Sequence, residues 1–168
     1  MAFKRISGIS NLIEVPVPAS TVLLANSAVT FNAANGYIKQ LVSTDPSVFG
    51  IVQRSVTATD PDYAVQRPIL VDQGDLNQVW EVDVSNGGAA TPFAVTDVGQ
   101  FFKMGTTADM IDANTRSSTA GAGFTAQGLV FLCVGFIKAT TTASAAGTAT
   151  GKGLFKIMSM SQARPSST

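Results

Sequence analysis

Apolar and polar residues alternate with a period of two in several short stretches of this chain. The clearest is QVWEVDVS, residues 78–85, which puts Trp80, Val82 and Val84 on one face and polar side chains on the other. This alternation is typical of a strand with one buried face, because successive side chains of a strand point to opposite sides of the sheet. No long helical stripe is present, and one helical turn is predicted within FAVTDVGQFF, residues 93–102.

Similar stretches recur along the chain, and turn-forming residues separate them. AVTF, YIKQLV and VQRPILVDQ alternate in the same way, and Asn35-Gly36 favours a tight hairpin between the first two. QGDLN, residues 73–77, is predicted to be the tip of another hairpin. Short strands separated by turn signals about 8–12 residues apart predict an all-β fold, a small antiparallel β-barrel or sandwich.

Two segments fall outside this pattern. Residues 1–24 are predicted to form an extended arm, because polar residues space the apolar ones and Pro16 and Pro18 interrupt a regular ladder. The arm lies either on its own barrel or on a neighbouring subunit. Residues 138–153 are predicted to be a long Ala/Thr/Gly loop before the last strand. The predicted organisation is an N-terminal arm at 1–24, a β-barrel domain at 25–160 and a flexible tail at 161–168.

The stretch QGLVFLCVGFIKA differs from the other strands because both of its faces are apolar. One predicted face carries Leu129, Phe131, Cys133 and Ile137, and the opposite face carries Val130, Leu132, Val134 and Phe136. A strand that is apolar on both sides is covered on both sides. The core covers one face, and either another part of the chain or a neighbouring subunit covers the second.

The chain carries little charge, which limits its partners. Charged residues make up 13% of the sequence, about half the usual share, so much of the surface is expected to face partners. The longest apolar run, LVFLCVGFI, is far shorter than the roughly 20 residues of a spanning helix, so no membrane partner is predicted. The bases of residues 113–168 are too sparse for a nucleic-acid surface. The N-terminus lacks the apolar core of a signal peptide.

The residue types that perform most enzyme chemistry are missing. There is no histidine and one cysteine, Cys133, which removes nucleophile–histidine arrangements, zinc sites and an intrachain disulfide. GTATGKG, residues 147–153, departs from the phosphate-binding loop in spacing and in its last residue. The paired carboxylates are interpreted as turn formers or exposed strand residues: Asp60 with Asp62, Asp72 with Asp75, and Glu81 with Asp83. No enzyme, catalytic residue, cofactor or metal is predicted.

One stretch, ADMIDANTRSSTAGAG at residues 108–123, concentrates oxygen ligands. Asp109, Asp112 and Asn114 depart from the calcium-loop template in spacing, and the template's glycine and closing glutamate are absent. The favoured interpretation is a strand that ends at Ile111, followed by a turn that Asp112 and Asn114 cap. Weak cation binding there is left open, and Arg116 is expected to contact a neighbouring subunit.

The order of these segments resembles a known family. DVGQFFKM, MIDANT, GLVFLCVGFI and GLFKIM follow one another as they do in the small β-barrel capsid decoration, or cement, proteins of tailed bacteriophages. The resemblance covers roughly residues 25–160, and the loop 138–153 departs from it. It implies a homotrimer on the outside of a capsid, with the N-terminal arm on the shell protein.

The implied function is that of a structural virion protein, made in the host cytoplasm, which stabilises an assembled capsid by clamping neighbouring major capsid subunits. The candidate shell contacts are Phe3, Lys4, Arg5, Ile6, Ile9, Leu12 and Ile13. The candidate subunit-interface residues are Arg116, Phe131, Val134 and Phe136. The alternative is a tail, fibre or other virion-surface module that recognises a host glycan or protein through an aromatic platform of Tyr63, Trp80 and Phe93.

Overall fold

The computed structural model describes residues 3–85, 92–105, 109–118, 129–140 and 148–159. The all-β fold class is confirmed, since these residues form strands and one 3-10 turn, Val95–Asp97. The strands are β1 Lys4–Ser7, β2 Leu12–Val17, β3 Ala28–Phe31, β4 Ile38–Gln40, β5 Gly50–Val52, β6 Arg67–Gln73, β7 Val79–Ser85, β8 Phe101–Met104, β9 Met110–Ser117, β10 Phe131–Lys138 and β11 Ala149–Ile157. The predicted tail, 161–168, lies outside the described residues.

One sheet closes on itself as a small barrel. Its strands run in the order β7, β11, β10, β8 and β9, and a parallel pairing of β9 with β7 completes the circle. β1 also pairs with β7, beyond the segment that β9 uses. Closure leaves the barrel strands few free edges. The barrel interior is filled by aromatic and aliphatic side chains, including Phe93, Phe102 and Phe155.

The second sheet has five antiparallel strands in the order β2, β6, β5, β3 and β4. Its central part is buried on both faces: Ala28 and Ile51 belong to the barrel's core, whereas Val29 and Val52 belong to a separate core on the other side. A strand buried on both faces needs apolar residues at every position, which explains the run Gly50-Ile51-Val52. The second sheet therefore packs directly against the barrel.

The predicted alternation of buried and outward-facing side chains in β7 is confirmed. Trp80, Val82 and Val84 are buried in the barrel, and Glu81 and Asp83 are half-buried on its outside. The predicted hairpin between β3 and β4 also forms, with Gly36 at a φ of +73°, a conformation that glycine adopts without strain. The predicted helical turn is the 3-10 turn Val95–Asp97.

The prediction that QGDLN is a hairpin tip is wrong. The segment does connect two strands, β6 and β7, but β6 belongs to the second sheet and β7 to the barrel. The connection therefore crosses between the sheets. The alternation of each strand identified its buried face but carried no information about its pairing partner, which depends on contacts distant in sequence.

The expectation that prolines would interrupt the N-terminal ladder is also wrong. β2 pairs with β6 over its full length, and Pro16 lies opposite Pro68. Neither proline has an N–H, so this pair must be at a position where neither residue donates to the other strand. β2 is also an edge strand, where Pro16 costs no hydrogen bond. Of the two placements left open for the N-terminal segment, the structure has it on its own chain.

The predicted loop 138–153 is too long. β10 continues to Lys138 and β11 begins at Ala149, so that Gly151 and Gly153 lie inside a strand. A Cβ at Gly151 would lie 2.6 Å from the Thr140 side chain, and one at Gly153 would lie 2.8 Å from Phe93. These glycines therefore allow close packing. Residues 141–147 of the predicted loop lie outside the described residues.

Gly50 offers a direct test of how tightly the second sheet packs. A Cβ there would lie 2.3 Å from the carbonyl oxygen of Asp72, which is backbone and has no room to move. We expect Gly50→Ala to lower the free energy of unfolding by about 1–3 kcal/mol. Denaturant titration followed by circular dichroism measures it. Gly99→Ala is the matched control, because a Cβ at Gly99 has no neighbour within 4 Å and its cost comes only from its positive φ. A fully tolerated Gly50→Ala would contradict the packing described.

Candidate functional site

Several exposed apolar residues lie on β1, β2 and β6 and on the turns that follow β1 and β6. Ile6, Ile9 and Leu12 are 48%, 87% and 49% exposed. Leu70 and Leu76 are also exposed, in β6 and in the β6–β7 connection. We call these five residues the apolar ridge. Scattered exposed hydrophobic residues are ordinary, whereas a cluster of them marks an interaction surface.

Strand pairing brings two members of the apolar ridge together. Leu12 lies opposite Asp72, and Leu70 lies opposite Glu14, so that Leu12 and Leu70 are diagonal neighbours on one face of the sheet. The turn after β1 lies against the turn after β6, because the Gln78 side chain donates to the carbonyl of Ile9 at 2.8 Å. Ile9 and Leu76 therefore project from adjacent turns.

Ile6 reaches the surface because of an irregularity in β1. Arg5 lies opposite Trp80 and Ser7 lies opposite Val79, so Ile6 is an extra residue in the pairing. A β-bulge of this kind redirects the side chains around it. Gly8 follows with a φ of +95°, and a Cβ there would meet the backbone of Gln78 at 2.7 Å. The chain thus turns tightly enough to present Ile9.

The buried carboxylate of Asp72 holds together the segments that carry the apolar ridge. Asp72 is 2% exposed, forms an ion pair with Arg5, and accepts hydrogen bonds from the backbone N–H of Asn11 at 3.0 Å and from Gln78 Nε2 at 3.3 Å. Buried charges persist where partners of this kind compensate them. Asp72 therefore joins β1, the turn before β2 and the β6–β7 connection into one rigid support.

The structure divides the predicted shell contacts into two groups. Lys4, Ile6, Ile9 and Leu12 are exposed. The others face inward: Phe3 packs edge-on against Trp80 in the barrel core, Arg5 is paired with Asp72, and Ile13 packs against the core of the second sheet. Leu70 and Leu76 were missed. Leu70 gave a usable signal, because it is apolar at an outward position of an alternating strand.

Most of the predicted subunit-interface residues pack against other residues of the same chain. Phe131 is fully buried in the barrel core, and Phe136 lies 5.6 Å from the Phe93 ring. Val134 is half-buried. The pairing of β10 with β11 shifts at Val134 and again at Ile137, and these bulges turn Phe136 toward the core and leave Ile137 exposed. The strict alternation expected for this strand is therefore wrong beyond Cys133.

Arg116 lies inside β9 and forms an ion pair with Asp97. It also donates to the carbonyl of Pro92 at 3.4 Å. The expected strand end at Ile111 is wrong, because β9 continues to Ser117. Its pairing with β8 skips residues 113–115, and there the backbone N–H of Asn114 donates to the Asp112 carboxylate at 2.9 Å, so the predicted local bond of Asp112 forms within an irregular strand. Among the described residues, no group of three His, Cys, Asp or Glu side chains is arranged to hold a metal ion.

The other paired carboxylates also have structural partners. Arg67 forms ion pairs with both Asp60 and Asp62. The backbone N–H of Thr57 lowers the pKa of the Asp60 carboxyl, and Arg67 lowers it further. Lys152 bridges Glu81 and Asp83 across the barrel surface, and its hydrogen bond to Glu81 raises the pKa of its amine. The lowered pKa of Asp60 is the opposite of the raised pKa that a general acid needs.

Cys133 is a buried thiol, and desolvation raises its pKa from the ordinary 9.0 to about 11. At pH 8 only about one thiol in a thousand is then a reactive thiolate. We expect a thiol reagent at pH 8 to label Cys133 only after unfolding, as absorbance measurements across a denaturant series can follow. The raised pKa also implies that stability falls as the pH rises from about 9 to about 11. Prompt labelling of Cys133 in native buffer, without denaturant, would contradict the burial of its thiol.

The described structure does not provide the aromatic platform expected for a glycan-binding module. Trp80 and Phe93 are buried in the barrel core. Tyr63 is half-buried, and its hydroxyl donates to the carbonyl of Ser20 at 2.8 Å. Carbohydrate recognition through stacking needs accessible aromatic faces. None of the three predicted residues presents one in this structure.

No helix in the described part of the chain has both the length and the apolar character needed to cross a membrane. A scan against protein-family models and a search of curated proteins both found no match.

Proposed function

We propose that this chain is a structural virion protein that binds the outside of an assembled capsid and clamps neighbouring major capsid subunits, as a homotrimer. The observation that carries the proposal is the apolar ridge, held rigidly on a chain with few charged residues. The segment order, which resembles that of phage decoration proteins, also supports it. In this proposal the protein is made in the host cytoplasm and ends on the capsid surface.

The apolar ridge suits a permanent contact rather than a passing one. Burying an exposed Ile or Leu side chain contributes about 1.5–3 kcal/mol, and Ile9 has most of its surface available for burial. Because Asp72 and Gln78 already fix the turns, little conformational entropy is lost on docking. Three copies of the ridge in a trimer would act together and raise the overall affinity further.

Lys4 and a neighbouring groove form a polar rim around the apolar ridge. Lys4 is exposed at the start of β1. The groove has a volume of about 410 Å³ and is lined by Glu14 and Leu70 together with Arg54. An apolar centre with a polar edge is the usual anatomy of a protein interface. The clamp would stabilise the shell by mass action, since only the assembled lattice offers the complete binding site.

Removing the N-terminal segment would not test the docking surface. Phe3 belongs to the barrel core, and Val15 and Val17 belong to the core of the second sheet. A truncated chain would therefore lose part of both cores and would fail to bind for reasons unrelated to docking. Substitutions confined to exposed side chains keep the fold and change only the surface.

We expect the triple variant Ile6→Ser, Ile9→Ser and Leu12→Thr to bind capsids at least about 100-fold more weakly, because the apolar surface available for burial is lost. Co-sedimentation with capsids over a concentration series measures this. The matched control is Val95→Ser with Val98→Ser, two exposed valines near the 3-10 turn, which should leave binding unchanged. Equal binding by the triple variant and the control would overturn the role of the apolar ridge.

A further inference from the structure

A second feature lies where β1 meets the second sheet. A cleft of about 320 Å³ is lined by residues of both sheets, among them Lys4 and Arg5 of β1, Asp72 of β6 and Trp80 of β7. This volume is at the lower end of the range for small-molecule sites. Arg5 and Asp72, which form the support of the apolar ridge, also line this cleft.

Trp80 gives this cleft an unusual property. The side chain is 2% exposed, and its indole Nε1 is buried without any hydrogen-bond partner. A buried donor left unpaired costs about 1–3 kcal/mol, so such groups are rare and call for a physical explanation. An acceptor atom from a ligand would remove this cost.

The neighbours of Trp80 indicate what kind of acceptor fits. Arg5 lies directly opposite Trp80 on the adjacent strand, so their side chains share one face of the sheet. Arg5 gives one N–H to Asp72, and a guanidinium carries five donors. The charge of Asp72 is compensated by Arg5, Asn11 and Gln78. Lys4 lies opposite Glu81 and not opposite Trp80, so the donors that share a face with Trp80 are those of Arg5.

We propose that this cleft binds a small oxyanion, a carboxylate or a phosphate, which accepts hydrogen bonds from Trp80 Nε1 and from the spare donors of the Arg5 guanidinium. Since Nε1 is closed to solvent, binding turns the indole or displaces the Phe3 ring that packs edge-on against it. The ligand therefore perturbs the indole directly. The proposal does not depend on capsid binding.

The single tryptophan makes the test specific. The protein is labelled with ¹⁵N at the indole, and its one indole N–H signal is followed during titration with sodium acetate, sodium phosphate or neutral acetamide, with NaCl holding the ionic strength constant. We expect a saturable downfield shift with acetate or phosphate and a much weaker response to acetamide. The oxyanion that saturates at the lower concentration identifies the class of ligand.

Two variants separate a built site from general ionic effects. Arg5→Lys keeps a positive charge beside Asp72 but loses the spare guanidinium donors, so it should weaken oxyanion binding by about fivefold, and Lys156→Gln on β11 of the barrel should leave it unchanged. Trp80→Phe should abolish the rise in melting temperature that the oxyanion produces in the natural chain. Shifts that never saturate, an equal response to acetamide, or equal affinities of the Arg5 and Lys156 variants would overturn the proposal, even if Trp80→Phe fails to fold.

Discussion

Replacing Arg116 by leucine is expected to lower the free energy of unfolding by about 3–5 kcal/mol, because the substitution leaves a buried carboxylate without its counter-ion. The side chains of Arg116 and Asp97 are 17% and 4% exposed. Asp97 also accepts hydrogen bonds from the backbone N–H of Ala94 and from Gln100. The pair thus ties the segment around the 3-10 turn to β9.

Urea denaturation of the natural chain and the variant measures this loss. Lys39→Leu is the matched control, because its pair with Asp45 is more exposed and should contribute no more than about 1 kcal/mol. Adding Asp97→Asn to Arg116→Leu should recover part of the stability, since the buried charge is then removed as well. A loss for Arg116→Leu no larger than that for Lys39→Leu would show that the pair is not buried as described.

Replacing Asp72 by alanine is expected to cost about 3 kcal/mol and to weaken docking at the same time. The substitution removes the shared acceptor of Arg5, Asn11 and Gln78, and buried donors without partners are costly. The turns that carry Ile9 and Leu76 would lose their common support. Docking would then have to order them again, at a cost in affinity.

Asp75→Ala provides the control for this second prediction. Asp75 is exposed in the same connection, and within the described residues its carboxylate accepts only from the nearby backbone N–H of Asn77. Unfolding and capsid co-sedimentation are measured for both variants. Adding Arg5→Met to Asp72→Ala should restore some stability, because an uncompensated guanidinium is removed. If Asp72→Ala binds capsids as tightly as Asp75→Ala does, the claim that Asp72 supports the apolar ridge is contradicted.

Local pattern was enough to identify most strands and their buried faces. The alternation in β7 placed Trp80, Val82 and Val84 inside, and that in β6 placed Ile69 and Val71 inside. Both follow from the two-residue repeat of a strand, which depends only on neighbouring residues. The hairpin of β3 and β4 was also predictable, since Asn35-Gly36 fixes the turn.

Features that depend on distant residues were not predictable in this way. The pairing of Pro16 with Pro68, the crossing between sheets after β6 and the extension of β9 past Asp112 all depend on partners far along the chain. The bulges in β10 belong to the same class, because they exist only relative to β11. A local pattern describes one strand, whereas register describes two.

The apolar ridge was partly visible in the sequence for the same reason. Ile6, Ile9 and Leu12 stand out as apolar residues spaced by polar ones near the N-terminus. Leu76 appeared only as one apolar residue in a polar turn, and the hydrogen bond from Gln78 to Ile9 shows why it belongs with them. Asp72 was interpreted as a turn residue beside Asp75, and only its burial identifies it as the support.

A reconstruction of capsids decorated with this protein tests the central claim most directly. Capsids of the proposed partner, a major capsid protein, are assembled, and the protein is added in excess before imaging. We expect density for the chain outside the shell, where neighbouring capsid subunits meet, with Ile6, Ile9 and Leu12 facing the shell. Capsids without added density, or a bound chain whose apolar ridge faces solvent, would contradict it.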